Sequence, residues 1–176
     1  MEGNNFERIC FTVDKKYIKK KKIFGIPVID FETVKKKYKN KKNCRIFVAA
    51  GYSSMNKVRE KIFKNIKKIG FKIASIVHPK AILPRDFKYG QNCLIMNSVH
   101  IHPLVKIGNN NFLWPGRIIS HHVKVGNNCW FTSGSAVAGN TYIGNNCFFG
   151  INSSITNNLR INDNSFIGAR ALVAKN

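Results

Sequence analysis

Two adjacent histidines, His121 and His122, stand in the stretch "RIISHHVKVGNN" at residues 117–128. Imidazole titrates near neutrality and can take a proton as a general base or ligate a metal ion, so a paired histidine is a candidate for either chemistry. Of the other histidines, His78, His100 and His102 read as surface or corner residues, and His122 reads equally as a helper of His121 or as a spectator. The five cysteines include no Cys-x-x-Cys pair, which argues against a zinc ribbon. With no secretory signal at "MEGNNFERIC", they are expected to be free thiols in a reducing cytoplasm.

The chain carries 30 Lys and Arg against 8 Asp and Glu, a formal charge of +22. The abundance of Lys, Asn, Ile and Phe together reads first as a compositional bias. Small anions such as nucleotide-sugar diphosphates or coenzyme A come next, and nucleic acid last, because no recognition helix or aromatic-plus-basic RNA motif is present. No apolar run approaches the ~20 residues that cross a bilayer, so membrane insertion is not expected.

The histidine pair is positioned by a repeat. Its "VKVGNN" tail at 123–128 recurs as "VKIGNN" at 105–110 and "TYIGNN" at 141–146, each copy 18 residues from the next. Cut into sixes from Phe87, the chain places an apolar residue in the third slot fifteen times running: Tyr89, Ile95, Ile101, Ile107, Leu113, Ile119, Val125, Phe131, Val137, Ile143, Phe149, Ile155, Ile161, Ile167 and Val173. A helical period of 3.6 cannot sustain this pattern; a period of six signals a parallel β-helix, with three short strands and three corners in each triangular coil. One Ile-Gly-Asn-Asn corner is expected per turn, since Gly and Asn both tolerate the left-handed backbone that a sharp corner demands. The column Gly90, Gly108, Gly126, Gly144 and Asn162 marks five coils. A less regular coil is expected to begin near residues 75–86, and Cys93, Cys129 and Cys147 should pack inward in one column.

Residues 1–74 follow another pattern. Residues 8–13 and 45–51 read as strands, and "GFKIASIVHP" from Gly70 as a third. Residues 54–70 read as a helix, capped by Ser53 or Ser54, with Val58, Ile62, Ile66 and Ile69 on its buried face and Gly70 as its stop. The expected domains are therefore a partial α/β unit over 1–74, a truncated Rossmann-like fold, and a left-handed parallel β-helix over 75–176.

A small α/β unit, hexapeptide coils, "HH" before "VKVGNN" and the run "AGNTYIGNNCFFGIN" together resemble the sialic-acid O-acetyltransferase-like and bacillosamine-type N-acetyltransferases of bacterial glycan synthesis. The resemblance implies transfer of an acetyl group from acetyl-CoA to nitrogen or oxygen of a nucleotide-linked (amino)deoxysugar in a cytoplasmic homotrimer, with no resident metal. It implies His121 as the base, with His122 where the family has a supporting acid, and the backbone N–H of Gly139 as oxyanion donor. It also implies Trp130, Gly139, Ile151 and Ala169 as contacts to acetyl-CoA, and Asp14 and Gly51 as contacts to the sugar nucleotide. The family's Gly-rich phosphate turn and its proline-containing tail have no counterpart, so both ends are expected to be shortened. Two other readings stand beside this one. One is a non-catalytic scaffold of the same fold. The other is a zinc site like that of gamma-type carbonic anhydrases, which expects another histidine where Asn127 and Asn128 stand.

Overall fold

The structure, a computed structural model, describes residues 7–175. Residues 1–6 and 176, the outer ends of the two expected domains, lie outside the described residues.

The first unit begins with β1 (Phe11–Val13). It runs parallel to β3 (Ile26–Asp30), which returns from β2 (Lys22–Ile23) in an antiparallel hairpin. The hairpin and the helix α1 (Phe31–Tyr38) after it are not anticipated by the sequence reading. Asp30 starts α1 by accepting from the Thr33 N–H at 3.0 Å and the Thr33 hydroxyl at 2.6 Å. The Thr33 hydroxyl, then its N–H, hold the Asp30 carboxyl below the usual carboxylate range. Such a cap is worth about 1 kcal/mol.

Of the expected strand–helix–strand of residues 45–77 the helix is present, but the two expected strands reduce to one bridge, and Ile76–Val77 joins a β-helix sheet instead. Residue 46 pairs with residue 73 in a single parallel bridge, with Ile46 N–H donating to Lys72 and Ala74 N–H to Ile46, both at 2.9 Å. Beyond that bridge Val48 turns its backbone to the β-helix instead, pairing both its N–H and its carbonyl with the Asn92 amide. The helix α2 (Lys57–Ile69) stops at Gly70, whose φ of 94° is left-handed, as expected. Its start differs, because Ser54, Met55 and Asn56 are all left-handed and no side chain caps the helix. Its buried face differs too. Arg59, Phe63 and Ile66 are buried, while Val58 and Ile62 are exposed. Arg59 turns inward because it finds acceptors there, which a count of apolar residues cannot foresee.

From Lys88–Tyr89 onward, two-residue strands recur every six residues and, with β4 (Ile76–Val77), stack into three parallel sheets with partners 18 residues apart, as in Leu94, Phe112, Trp130, Phe148 and Phe166. This arrangement fits the expected left-handed β-helix. The irregular first coil is present as well: Ile76–Val77 pairs with Leu94–Ile95, and Ile82 bridges to His100. Twelve of the fifteen third-slot residues are buried. Tyr89, which opens its sheet, and Ile167 and Val173 in the last coil are less covered, since one stacking neighbour is missing. The thiols of Cys93, Cys129 and Cys147 point into the same core.

The "GNN" corner meets the expectation at its asparagines but not at its glycines. The glycines do not supply the left-handed backbone. It lies two residues later, at Asn92, Asn110, Asn128, Asn146 and Asn164 (φ 57–63°). The glycines answer to space. A β-carbon on Gly108 would lie 2.5 Å from the Gly126 carbonyl oxygen, and one on Gly126 would lie 2.8 Å from that of Gly144. The middle asparagines form a ladder, in which the amide oxygens of Asn127 and Asn145 accept from the backbone N–H of Asn109 and Asn127, each at 2.8 Å. Each letter of the motif thus has its own physical cause: close approach, side-chain ladder, and sharp turn.

Candidate active site

His121 and His122 occupy the fifth and sixth slots of the corner between strands Ile118–Ile119 and Lys124–Val125. His122 has a φ of 61°, in the left-handed position that Asn fills at most other corners. The tight turn throws the two exposed rings together. Their Nδ1 atoms are 3.1 Å apart and their planes are close to perpendicular at 85°. Such a contact needs one proton between the two nitrogens. With that proton on His121 Nδ1 and His122 accepting, His121 Nε2 keeps its lone pair and is a base.

Gly139 lies one coil on, in the same slot. An added β-carbon there would sit 2.5 Å from His121 Cε1 and 2.8 Å from Nε2, so the imidazole rests on the glycine backbone. Gly139 has no left-handed φ, and the nearness of the ring is what requires a glycine. Its carbonyl accepts from Asn158 N–H at 3.0 Å. In another corner column the fifth-slot N–H groups of Asn109, Asn127 and Asn145 are taken by ladder side chains. Among the described residues no acceptor engages the N–H of Gly139. An imidazole pair and a backbone N–H without an acceptor among the described residues therefore share one corner; acyl transfer needs a base and an oxyanion donor of such kinds.

The remaining candidates are dispersed. Ile151 and Ala169 stack on a different corner, where Arg170 N–H donates to Ile151 at 2.8 Å and a β-carbon on Gly150 would lie 2.4 Å from Ala169 N. Trp130 is only 8% exposed, covered by Tyr52 with centroids 5.3 Å apart and flanked by Phe112 and Trp114. Asp14 is exposed before the turn Lys15–Tyr17. Gly51 is exposed, has no left-handed φ, and an added β-carbon would meet nothing within 4 Å, so the fold does not explain why it is glycine. His78 Nδ1 accepts from Lys80 N–H at 3.1 Å, a local turn contact. His100 and His102 pack ring to ring, with centroids 4.7 Å apart. Asn127 and Asn128 are both engaged in corner ladders. Among the described residues no group of three His, Cys, Asp or Glu side chains is placed to hold a metal ion, and no helix is long and apolar enough to cross a membrane.

Two features escape the sequence reading. Arg59 is fully buried where α2 meets the β-helix. Its guanidinium donates to the Asn110 amide oxygen and to the carbonyls of Asn110, Asn128 and Cys129, each at 3.2 Å, while the Phe112 ring lies 4.4 Å away. Burial pulls its pKa down to about 10. The second feature is a cleft of about 740 Å³ that opens from His122 across the neighbouring face and is lined there by Lys88, Lys106 and Lys124. The signal was available, since each of these lysines holds the second slot of its six.

The comparisons agree with this architecture. The family model "Bacterial transferase hexapeptide (six repeats)" matches residues 140–175. No curated protein sequence matches. Among solved structures, the acetyltransferase domain of PglB from Neisseria gonorrhoeae is 20% identical with a TM-score of 0.84, the match covering 95% of this chain and 78% of that one. PerB from Caulobacter crescentus, in complex with CoA and GDP-perosamine, is 24% identical with a TM-score of 0.81, covering 89% and 74%. WeeI from Acinetobacter baumannii is 15% identical with a TM-score of 0.56, covering 97% and 80%. At these identities the likeness shows a shared fold.

Proposed function

We propose that this chain is an acetyl-CoA-dependent acetyltransferase that acts on a nucleotide-linked amino sugar in surface glycan biosynthesis. One observation carries the reading: the His121 imidazole rests on Gly139, whose N–H has no acceptor among the described residues, with Nδ1 3.1 Å from that of His122. The amine of the sugar attacks the thioester carbonyl while His121 Nε2 takes its proton. The Gly139 N–H donates to the oxyanion as it forms. The C–S bond then breaks, the amide remains on the sugar, and coenzyme A leaves as the thiol with the proton. His122 takes the place of an acid by accepting from His121 Nδ1. No acyl-enzyme is required. The likeness to PerB, bound to CoA and GDP-perosamine, supports the substrate pair.

Ile151 and Ala169 are assigned to acetyl-CoA, yet they occupy a corner other than that of His121 and Gly139. A homotrimer that sets one subunit's His121 corner beside a neighbour's Ile151 corner reunites them, while Trp130, assigned to the same cosubstrate, packs against Tyr52 and Arg59. Asp14 and Gly51 on the first unit, read as a truncated nucleotide-sugar-binding domain over residues 1–74, contact the nucleotide, with the β-helix domain over residues 75–176 carrying the transfer. The reaction is assigned to the cytoplasm. The test is a screen of nucleotide-linked 3-amino and 4-amino deoxysugars with acetyl-CoA, following CoA release. Turnover on at least one sugar, lost in His121→Ala, is expected. No turnover on any of them would favour the scaffold reading.

A further inference from the structure

Of the nine basic residues after residue 74, four stand in one column. Lys88 pairs in register with Lys106, Lys106 with Lys124, Lys124 with Tyr142, and Tyr142 with Arg160. Neighbouring strands lie about 4.8 Å apart, so the three lysine stems span roughly 10 Å. Like charges directly opposite one another destabilise a sheet. All three lysines are exposed, and neither ion pair found among the described residues, Lys35–Glu32 or Lys64–Glu60, involves them. The stack therefore presents three like charges side by side, a face that an external anion would neutralise.

The column lines the cleft of about 740 Å³, whose single acid is Asp86 and whose other end is the His122 corner. Lys124 follows His122 by two residues, and Asn140, next to Gly139, also lines the cleft. An anion seated on Lys106 and Lys124 therefore lies in the same cleft as His122, the neighbour of the candidate base. Arg160 closes the column with its guanidinium 4.3 Å from the Tyr142 ring centroid.

We infer that the column Lys88–Lys106–Lys124, closed by Arg160, binds the diphosphate of the nucleotide-linked acceptor and thereby delivers its sugar to His121. This inference rests on the acetyltransferase reading for the identity of the acceptor. A diphosphate also occurs in coenzyme A, but there a whole pantetheine arm separates it from the thioester. In a nucleotide-linked sugar it is bonded to the sugar itself. The short path from Lys124 to the histidine corner fits the second case.

The test is equilibrium binding by calorimetry, without acetyl transfer, using GDP, UDP, pyrophosphate and coenzyme A as separate probes. In the triple variant Lys88→Ala/Lys106→Ala/Lys124→Ala, binding of pyrophosphate and of the preferred nucleoside diphosphate should weaken at least about tenfold, as expected for losing charge-assisted contacts. Coenzyme A should change by less than about twofold, and the corresponding triple Arg variant should retain the parent's nucleotide affinity. Parent binding should also weaken as salt rises. Circular dichroism checks the fold, and if the triple variant unfolds, Lys106→Gln and Lys124→Gln singly should each weaken the nucleotide about threefold. Unchanged nucleotide and pyrophosphate binding, loss confined to coenzyme A, or no binding of any probe by the parent overturns the proposal. Lysine-dependent nucleotide binding in a protein that transfers no acetyl group would instead sink the acetyltransferase reading and leave the diphosphate site standing.

Discussion

The His121 imidazole occupies the space that a side chain on residue 139 would need, with Cε1 2.5 Å and Nε2 2.8 Å from the position of an added β-carbon. Gly139→Ala must therefore displace the ring, although the backbone at 139 tolerates alanine. Because a shift of about 1 Å in a catalytic group can cost about a hundredfold, kcat/KM should fall by roughly 10–100-fold. The thermal midpoint should move little. A fully active Gly139→Ala enzyme would show that the ring's place against Gly139 is irrelevant to turnover.

His121→Ala should lower turnover by roughly 10²–10⁴-fold, the usual loss for a general base. For His122 the clean substitution is asparagine, which suits the left-handed φ of 61° and removes only the imidazole. His122→Asn should cost about tenfold if His122 orients its neighbour. His122→Ala should lose further stability, because alanine is strained at that φ. A larger loss from His122→Asn than from His121→Ala would move the base one residue along the chain.

Gly51→Ala meets no atom within 4 Å, so the melting temperature should stay within about a degree of the parent, as for a neutral surface change. If Gly51 contacts the nucleotide, KM for the acceptor should rise while KM for acetyl-CoA holds. Equal changes in both would place Gly51 outside the acceptor site.

Arg117 fills a first slot inside the prism. Its Nη2 donates to the Thr132 carbonyl at 2.8 Å and to the Ser135 hydroxyl, while Nε and Nη1 are buried without a protein partner. Its pKa is driven well down by burial alone. Replacing a buried, incompletely paired cation with an apolar residue of similar reach is often stabilising, so Arg117→Met should raise stability by about 1–4 kcal/mol in denaturant titration. Arg59→Met should do the opposite and cost about 2–4 kcal/mol, because it strands three carbonyls that now share one donor group.

The contrast between these arginines marks what the sequence could and could not disclose. The β-helix was legible because one apolar slot repeated fifteen times, and stacking identical coils leaves little else for that slot to do. His121 was legible through its place in the repeat and the family resemblance. Arg59 was not, because its burial depends on carbonyls 51 to 70 residues away. The hairpin and α1 were missed because residues 14–44 combine a lysine-rich composition with no sustained period. The corners were located correctly and their asparagines turn as expected, but the glycines answer to space and not to φ. Composition alone cannot separate a glycine needed for its φ from one needed for its missing side chain.

The contacts between the two parts of the chain also set where the molecule should loosen first. Solenoids melt as chains of neighbouring units, and here one flank is splinted. Val48 grips Asn92, Arg59 grips Asn110 and Asn128, and Asn56 reaches Cys147, one coil after another. In the last coil Phe166, stacked on Phe148, is 63% exposed. Amide exchange should accordingly be slow and nearly uniform through the splinted coils and speed up past residue 150, so the Ala169 edge assigned to the cosubstrate belongs to the part of the solenoid that breathes.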